Sequence, residues 1–237
     1  MTITVAVFDL DDTLYDCFDQ RVGAAHCYAS QAMVNAGVNA TVEDVFRVRM
    51  QAFRVDPRLR YIDAEVCRRF AVQNPEAVME AAREAYFSCP VGELTLFPGA
   101  LDVLRTLKAR GVRNFIVTFG DPETQRQKVA ALALDREPAI ERIHYAERGN
   151  ILTKEEVFRS ILRDTGAHPQ QALVIGDRPE GEIAAANRLG MHSVRIRRGE
   201  FASLEPHAPE EQAEHEITEI GSVLQLPFTF GRAQAKP

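Results

Sequence analysis

The chain has 237 residues, 46% of them hydrophobic, enough for one large domain or two modest ones with a sizeable core. A net charge of −6 offers no basic face for nucleic acid or an anionic membrane, so neither is expected as a partner. No apolar stretch approaches the roughly 20 residues of a membrane span, and the N-terminus lacks a basic region followed by an apolar one; a cytoplasmic enzyme or binding protein is the expectation.

The first apolar run, Ile3 to Phe8, is continuous rather than alternating, which suits a strand covered on both faces of a parallel sheet. It leads directly into Asp9-Leu10-Asp11-Asp12-Thr13. Carboxylates this close raise one another's pKa unless something positive sits among them, so this junction asks for a partner elsewhere in the chain. From about Phe18 to Cys89 the pattern becomes one of successive helices: Ala25 to Ala36, Val42 to Phe53, Asp63 to Ala71 and Glu76 to Ser88. Breaks fall at Asn35-Ala36-Gly37 and Asn74-Pro75, and Phe97-Pro98-Gly99 closes the block. Strand and helix then alternate. A helix over Ala100 to Arg110 stops at Gly111, and a strand over Asn114 to Val117 ends in Thr118. Helices follow over Glu123 to Leu134 and Lys154 to Thr165, then a strand over Ala172 to Ile175 that runs into Gly176-Asp177. Glu180 to Leu189 is a helix stopped by Gly190, and His192 to Ile196 another strand. Beyond Gly199, Glu214 to Leu224 reads as a strand and a short helix, and Phe228 to Pro237 as a tail.

Strands alternating with helices of about ten residues imply βαβ units and an α/β fold, a doubly wound, Rossmann-like parallel sheet. Its core comprises residues 1–16 and 95–237, and residues 17–94 form an inserted all-helical domain seated over one edge. In such sheets ligands gather at the carboxyl ends of the strands, where Asp9, Thr118 and Asp177 all lie.

Other side chains read more plainly. Cys17, Cys27, Cys67 and Cys89 are widely spaced, with no CxxC pair, and are expected as reduced core thiols. The six histidines, His26, His144, His168 and His192 among them, lack metal-ligand spacing and are expected as surface or core residues. Arg49, Arg54, Arg58, Arg60, Arg68 and Arg69 form a run that suits either an anionic substrate or a solvated face paired with Asp56, Asp63 and Glu65. The second is preferred, because no motif accompanies the run.

Asp9-Leu10-Asp11-Asp12-Thr13 resembles the first motif, DxDxT, of the phosphatase members of the haloacid dehalogenase superfamily. The later motifs follow in order: Thr118 resembles the second, Lys154 the third, and Gly176-Asp177 with Glu182 the fourth. The inserted helices resemble a cap placed between the first and second motifs. The resemblance implies a Mg²⁺-dependent hydrolase of a small phosphorylated metabolite. Asp9 is then the nucleophile that forms an aspartyl-phosphate, and Asp11 protonates the leaving oxygen and later takes a proton from water. Asp9, the backbone carbonyl of Asp11 and Asp177 become the metal ligands, while Thr118 and Lys154 stabilise the transferring phosphoryl oxygens. Two positions depart from the pattern. Glu182 stands where a second aspartate is common, which leaves it a water-mediated metal contact, a partner for Lys154, or neither. Lys154 is followed by Glu155 rather than proline, with Lys108 and Lys128 as alternatives; Lys154 is favoured because it opens the helix before the fourth-motif strand. Asp12 is given a turn or outer metal-shell role.

Competing functions remain within the resemblance. A 2-haloacid dehalogenase also uses an aspartate nucleophile, but without the acid that Asp11 supplies. A phosphomutase would return the phosphoryl group to a sugar. From another class, a phospho-aspartate regulatory module would draw its phosphorylated residue from a later strand and carry no helical insert. Neither the substrate nor the oligomeric state follows from the sequence.

Overall fold

The computed structural model describes residues 2–56, 58–147 and 153–231. The chain divides into two compact units, one built from the segment up to Cys17 together with everything from Glu93, the other from Phe18–Gly92.

The chain enters through β1 (Thr2–Ile3) and β2 (Val5–Phe8). The helical unit follows: a π-helical turn at Phe18–Val22, then α1 (Gly23–Asn35), α2 (Val42–Phe53), α3 (Leu59–Arg69) and α4 (Pro75–Ser88). Thr41 caps α2 by accepting from the Asp44 N–H at 3.1 Å, and Pro75 starts α4, where its missing N–H costs nothing. Ala29 and Met33, Val45, Val66 and Cys67, and Val78 and Ala82 bring all four helices into one apolar cluster. Arg49 lies in the same interior, fully buried, with its guanidinium on Asp63, on Met33 Sδ at 3.1 Å and on His26 Nδ1 at 3.3 Å. The arginine run is therefore not one solvated face. Arg58 with Asp56 and Arg68 with Glu65 are surface pairs, as expected, but Arg49 with Asp63 is a buried one.

The remaining elements of the other unit are α5 (Ala100–Ala109), β3 (Arg113–Gly120), α6 (Pro122–Ala131), β4 (Ile140–Glu147), α7 (Lys154–Thr165), β5 (Ala172–Gly176), α8 (Ala184–Leu189), β6 (His192–Ile196), β7 (His215–Ile217) and β8 (Thr229–Phe230). A six-stranded parallel sheet in the order β4-β3-β2-β5-β6-β7 forms its centre. Every residue of β2 and β5 is buried, as continuous apolar strands require. Val157, Phe158 and Ile161 of α7 and Ala185 and Ala186 of α8 pack on one face. In register, Phe8 of β2 pairs with Ile116 of β3 on one side and Ile175 of β5 on the other. Asp9, Thr118 and Asp177, one or two residues further on, thus emerge at the same edge. Where the chain leaves this unit and returns to it, Tyr15 and Leu96 form an antiparallel bridge and the Phe97 N–H donates to the Leu14 carbonyl at 2.8 Å.

Several elements differ from the sequence expectation. The first run is not one strand: Thr2–Ile3 pairs with Thr229–Phe230 in a separate two-stranded sheet, which also makes part of the expected tail a strand. Residues 232–237 of that tail lie outside the described residues. β4 was not foreseen, because Ile-Glu-Arg-Ile-His-Tyr-Ala-Glu on an edge mixes apolar and charged side chains instead of running apolar. Cys17, Cys67 and Cys89 are buried but Cys27 is exposed, and all four thiols are free. Among the described residues no helix is long and apolar enough to cross a membrane.

Candidate active site

Asp9 leaves β2 only 7% exposed, its N–H held by the Ile175 carbonyl at 2.9 Å. Its partner comes from α7. Thr153 caps that helix in a capping box with Glu156, and so places Lys154 in the first turn. Lys154 Nζ lies 2.5 Å from Asp9 Oδ1 and 2.6 Å from Glu182 Oε2. Glu182 is almost wholly buried, and its other oxygen accepts the Arg178 N–H at 2.8 Å. Of the three roles open to Glu182 in the sequence, the contact with Lys154 is the one observed. Gly176 makes this possible, since a Cβ there would stand 2.2 Å from Glu182 Cγ.

One carboxylate oxygen each from Asp9, Asp177 and Glu182 lie within 4.8 Å of one another, all three residues buried. Three carboxylates against the single Lys154 ammonium leave two negative charges unmatched in this cluster when all are ionised. The protonation pattern follows. Burial pushes Asp9 up to about 7; Lys154 opposes this, while Glu182 and Asp11 add to it. Burial and then the charges of Glu182, Asp9 and Asp12 hold Asp177 well above the usual carboxylate range. Glu182 is also penalised by burial, but Lys154 and the Arg178 N–H bring it below its ordinary value. Burial would lower Lys154, yet Asp9 and Glu182 raise it. A pair of unmatched charges on hard oxygen donors is what a divalent cation of the Mg²⁺ type fits, and Asp9, through the oxygen that Lys154 does not take, and Asp177 are the side chains that could hold one.

Asp11 sits in a different environment. Tyr15 Oη donates to its Oδ1 at 2.7 Å, Gln125 Nε2 to its Oδ2 at 2.9 Å, and Lys128 Nζ reaches both oxygens at 2.9 Å. Burial pushes this carboxyl up, but Lys128, Gln125 and Tyr15 together bring it down to about 2. The carboxylate next along, Asp12, faces away from this group. In the left-handed backbone region (φ 53°) and 4% exposed, it accepts the Cys17 N–H at 2.9 Å and the Glu200 N–H at 3.1 Å. Gly199, also left-handed, leaves it room, since a Cβ there would fall 2.0 Å from Asp12 Cγ. Asp12 therefore ties the first-motif loop to the loop after β6, in keeping with a turn role.

Thr118 is fully buried in β3, which runs two residues past it to Gly120, and its hydroxyl has no hydrogen-bond partner among the described residues. The edge of the sheet thus brings together Asp9, Lys154, Glu182 and Asp177, with Asp11 and Thr118 on the flanking segments. Lys108 takes no part: it is exposed on α5. Lys128, which the sequence offers only as a substitute for Lys154, instead serves Asp11. The spacing of Gln125 and Lys128 on one face of the helix after β3 was the available signal.

The sequence model of the haloacid dehalogenase-like hydrolases matches residues 3–190. A glyceraldehyde 3-phosphate phosphatase from Methanopyrus kandleri is 28% identical over 231 residues, covering 94% of this chain and 97% of its own. Among solved structures, a predicted phosphoglycolate phosphatase from Haemophilus somnus superposes with a TM-score of 0.69 at 18% identity, over 94% of this chain and 97% of that one. A 2-haloacid dehalogenase from Pseudomonas syringae pv. Tomato superposes with a TM-score of 0.56 at 21% identity, over 94% and 97%. The two structures share the fold, whereas the family match spans the segments that carry all six candidate residues: the chain belongs to the haloacid dehalogenase-like hydrolases.

Proposed function

We propose that this hydrolase is a Mg²⁺-dependent phosphatase of a small phosphorylated metabolite and that it works through a phosphorylated Asp9. Phosphatase relatives that match nearly the full chain support this over the dehalogenase, mutase and regulatory alternatives. What carries the reading is the separation of two carboxylates only two residues apart. Asp9 stands in the buried cluster with Lys154, Glu182 and Asp177, and Asp11 among donors of its own. A dehalogenase has no use for the second.

In this reading the Asp9 carboxylate attacks phosphorus and the ester P–O bond breaks. The leaving oxygen takes a proton from the Asp11 carboxyl, and the phosphoryl group stays on Asp9. Water then attacks phosphorus, Asp11 accepts its proton, and the acyl-phosphate bond breaks to restore Asp9 and release inorganic phosphate. Held at about 2, Asp11 is a carboxylate at neutral pH, which suits the second half; a proton taken up on one oxygen for the first half displaces one of the two Lys128 contacts and leaves the other in place. Lys154 and the Thr118 hydroxyl, which has no partner among the described residues, donate to the phosphoryl oxygens. Asp9, Asp177 and the Asp11 carbonyl would hold a magnesium ion, which would supply the positive charge that the cluster lacks and that the phosphoryl group needs. The core groups engage only what every phosphomonoester shares, so they do not by themselves choose the substrate.

Glyceraldehyde 3-phosphate is the first substrate to test, alongside phosphoglycolate and phosphoserine. Phosphate release should require Mg²⁺ and stop with chelator. Acid quench and mass spectrometry should place the phosphoryl group on Asp9, and Asp9→Asn should abolish both signals. Label on another residue, or turnover undiminished by chelator, refutes the reading.

A further inference from the structure

A carboxylate offers about four lone-pair sites, and at Asp11 all four are met by donors from three side chains. Two of these donors come from one face of α6. That helix begins immediately after β3, where the Asp121 carboxylate caps it through the Thr124 N–H at 2.8 Å. Gln125 passes through space that Gly120 leaves open: a Cβ at 120 would lie 2.9 Å from Gln125 Nε2. The Lys128 side chain is only 8% exposed and also reaches Cys17 Sγ at 3.7 Å. Tyr15, the third donor, is fully buried and fixed in place by its bridge to Leu96. Burying a lysine costs both rotamer freedom and solvation, and an anchor for the loop would need only one such contact. Three donors converging on one carboxylate from two directions instead fix where that carboxylate points.

We propose that Lys128 and Gln125, with Tyr15, are positioning residues that set the direction of the Asp11 carboxylate for proton transfer at the leaving oxygen; the catalytic purpose rests on the phosphatase reading above. Releasing Asp11 leaves the phosphoryl-binding groups around Asp9 untouched, so the loss falls on turnover rather than on binding. It falls most heavily where the leaving oxygen needs a proton.

The test uses Lys128→Met, which keeps the length of the side chain without its charge, Gln125→Ala as a milder variant, and the exposed Lys108→Met as a control. For Lys128→Met, kcat on an alkyl phosphomonoester should fall about 10–100-fold with KM within about 3-fold, in the range of a misplaced proton-transfer group. In rapid-quench measurements with p-nitrophenyl phosphate, whose leaving group needs no proton, formation of the aspartyl-phosphate should slow less than about 3-fold. Gln125→Ala should show the same pattern at smaller amplitude, Lys128→Arg should recover part of the loss, and Lys108→Met should match the parent. Crystal structures of the parent and Lys128→Met give a readout independent of activity: the Asp11 side chain should leave its position in the variant. An unmoved Asp11, or an equal loss on the two substrates, overturns the proposal. Failure of the parent to release phosphate from any ester would count against the phosphatase reading alone, and the position of Asp11 in the variant crystal still decides the clamp.

Discussion

Gly176→Ala tests the packing on which the charged cluster depends. The new methyl would stand 2.2 Å from Glu182 Cγ and 2.5 Å from its Oε1, where carbon atoms ordinarily approach to about 3.5–4.0 Å. The strand cannot retreat, because Gly176 pairs with Arg195 of β6 and the neighbouring Ile175 carbonyl holds the Asp9 N–H. Glu182 must therefore give up its place, and with it the bonds from Lys154 Nζ and the Arg178 N–H. Overpacking costs about 1–3 kcal/mol and each lost hydrogen bond to a charged group about 1.5–3 kcal/mol, so with both bonds lost the variant should be less stable by about 4–9 kcal/mol. With a urea slope of about 3 kcal/mol per molar, the midpoint followed by circular dichroism should fall by about 1–3 M. Adding Glu182→Ala removes the atoms that collide and should restore part of the midpoint, though not the activity, because Lys154 then has Asp9 as its sole carboxylate from the pair. A Gly176→Ala midpoint equal to that of the parent, or a double variant no more stable than the single one, would refute the reasoning.

Thr118→Val replaces a buried hydroxyl that has no partner within the described residues by a group of similar shape. The melting temperature should hold or rise while kcat falls about 10²–10³-fold. In chelator, the Asp9 carboxyl is raised from its ordinary 3.8 to about 7 in the folded protein. The folded state thus keeps a proton that the unfolded chain releases near pH 4, and stability should decline as pH climbs from about 4 to 7. Mg²⁺ should remove that decline, so the rise in melting temperature on adding Mg²⁺ should be larger at pH 8 than at pH 5; an equal rise at both would show that the ion does not meet these carboxylates. In the helical unit, Arg49→Met strands the buried Asp63 and should cost about 3–5 kcal/mol by denaturant titration, whereas Arg58→Ala, on an exposed pair, should leave the midpoint unchanged.

The sheet was legible because parallel strands buried on both faces write themselves as apolar runs, and Val5–Phe8 and Ala172–Gly176 do so without interruption. β4 did not, since an edge strand presents one flank to water and tolerates Glu141, Arg142 and His144. The residues at the strand ends were equally legible, because register carries Asp9, Thr118 and Asp177 to one edge once the strands are placed. Partnerships across the fold were legible only in part: a contact with Lys154 was one of three roles open to Glu182, and Lys128 stood only as a substitute for Lys154. That Lys154 meets Glu182 and Lys128 meets Asp11 depends on how α6 and α7 lie on the sheet, which no local spacing encodes. Arg49 was grouped with exposed arginines by composition, although its place four residues after Val45 and three before Ala52 puts it on the buried stripe of α2.

The bridge between Tyr15 and Leu96, with Phe97 bonded to Leu14, has a consequence for chain topology. It fastens the outgoing and returning segments together at the rim of the sheet, so that everything between them is, to the core, a single closed loop. The entropy of closing a loop grows only slowly with its length, by about 0.6 kcal/mol for each doubling. Going from a few residues to the whole of Phe18–Gly92 is about four doublings, so the long insert costs only about 2–3 kcal/mol more to close than a short turn would. The same fastening buries Tyr15, whose hydroxyl reports to Asp11. A change made in the length or stiffness of the inserted segment would thus reach the Asp11 carboxylate through the strain it puts on Tyr15 and on Cys17, which lies against Lys128.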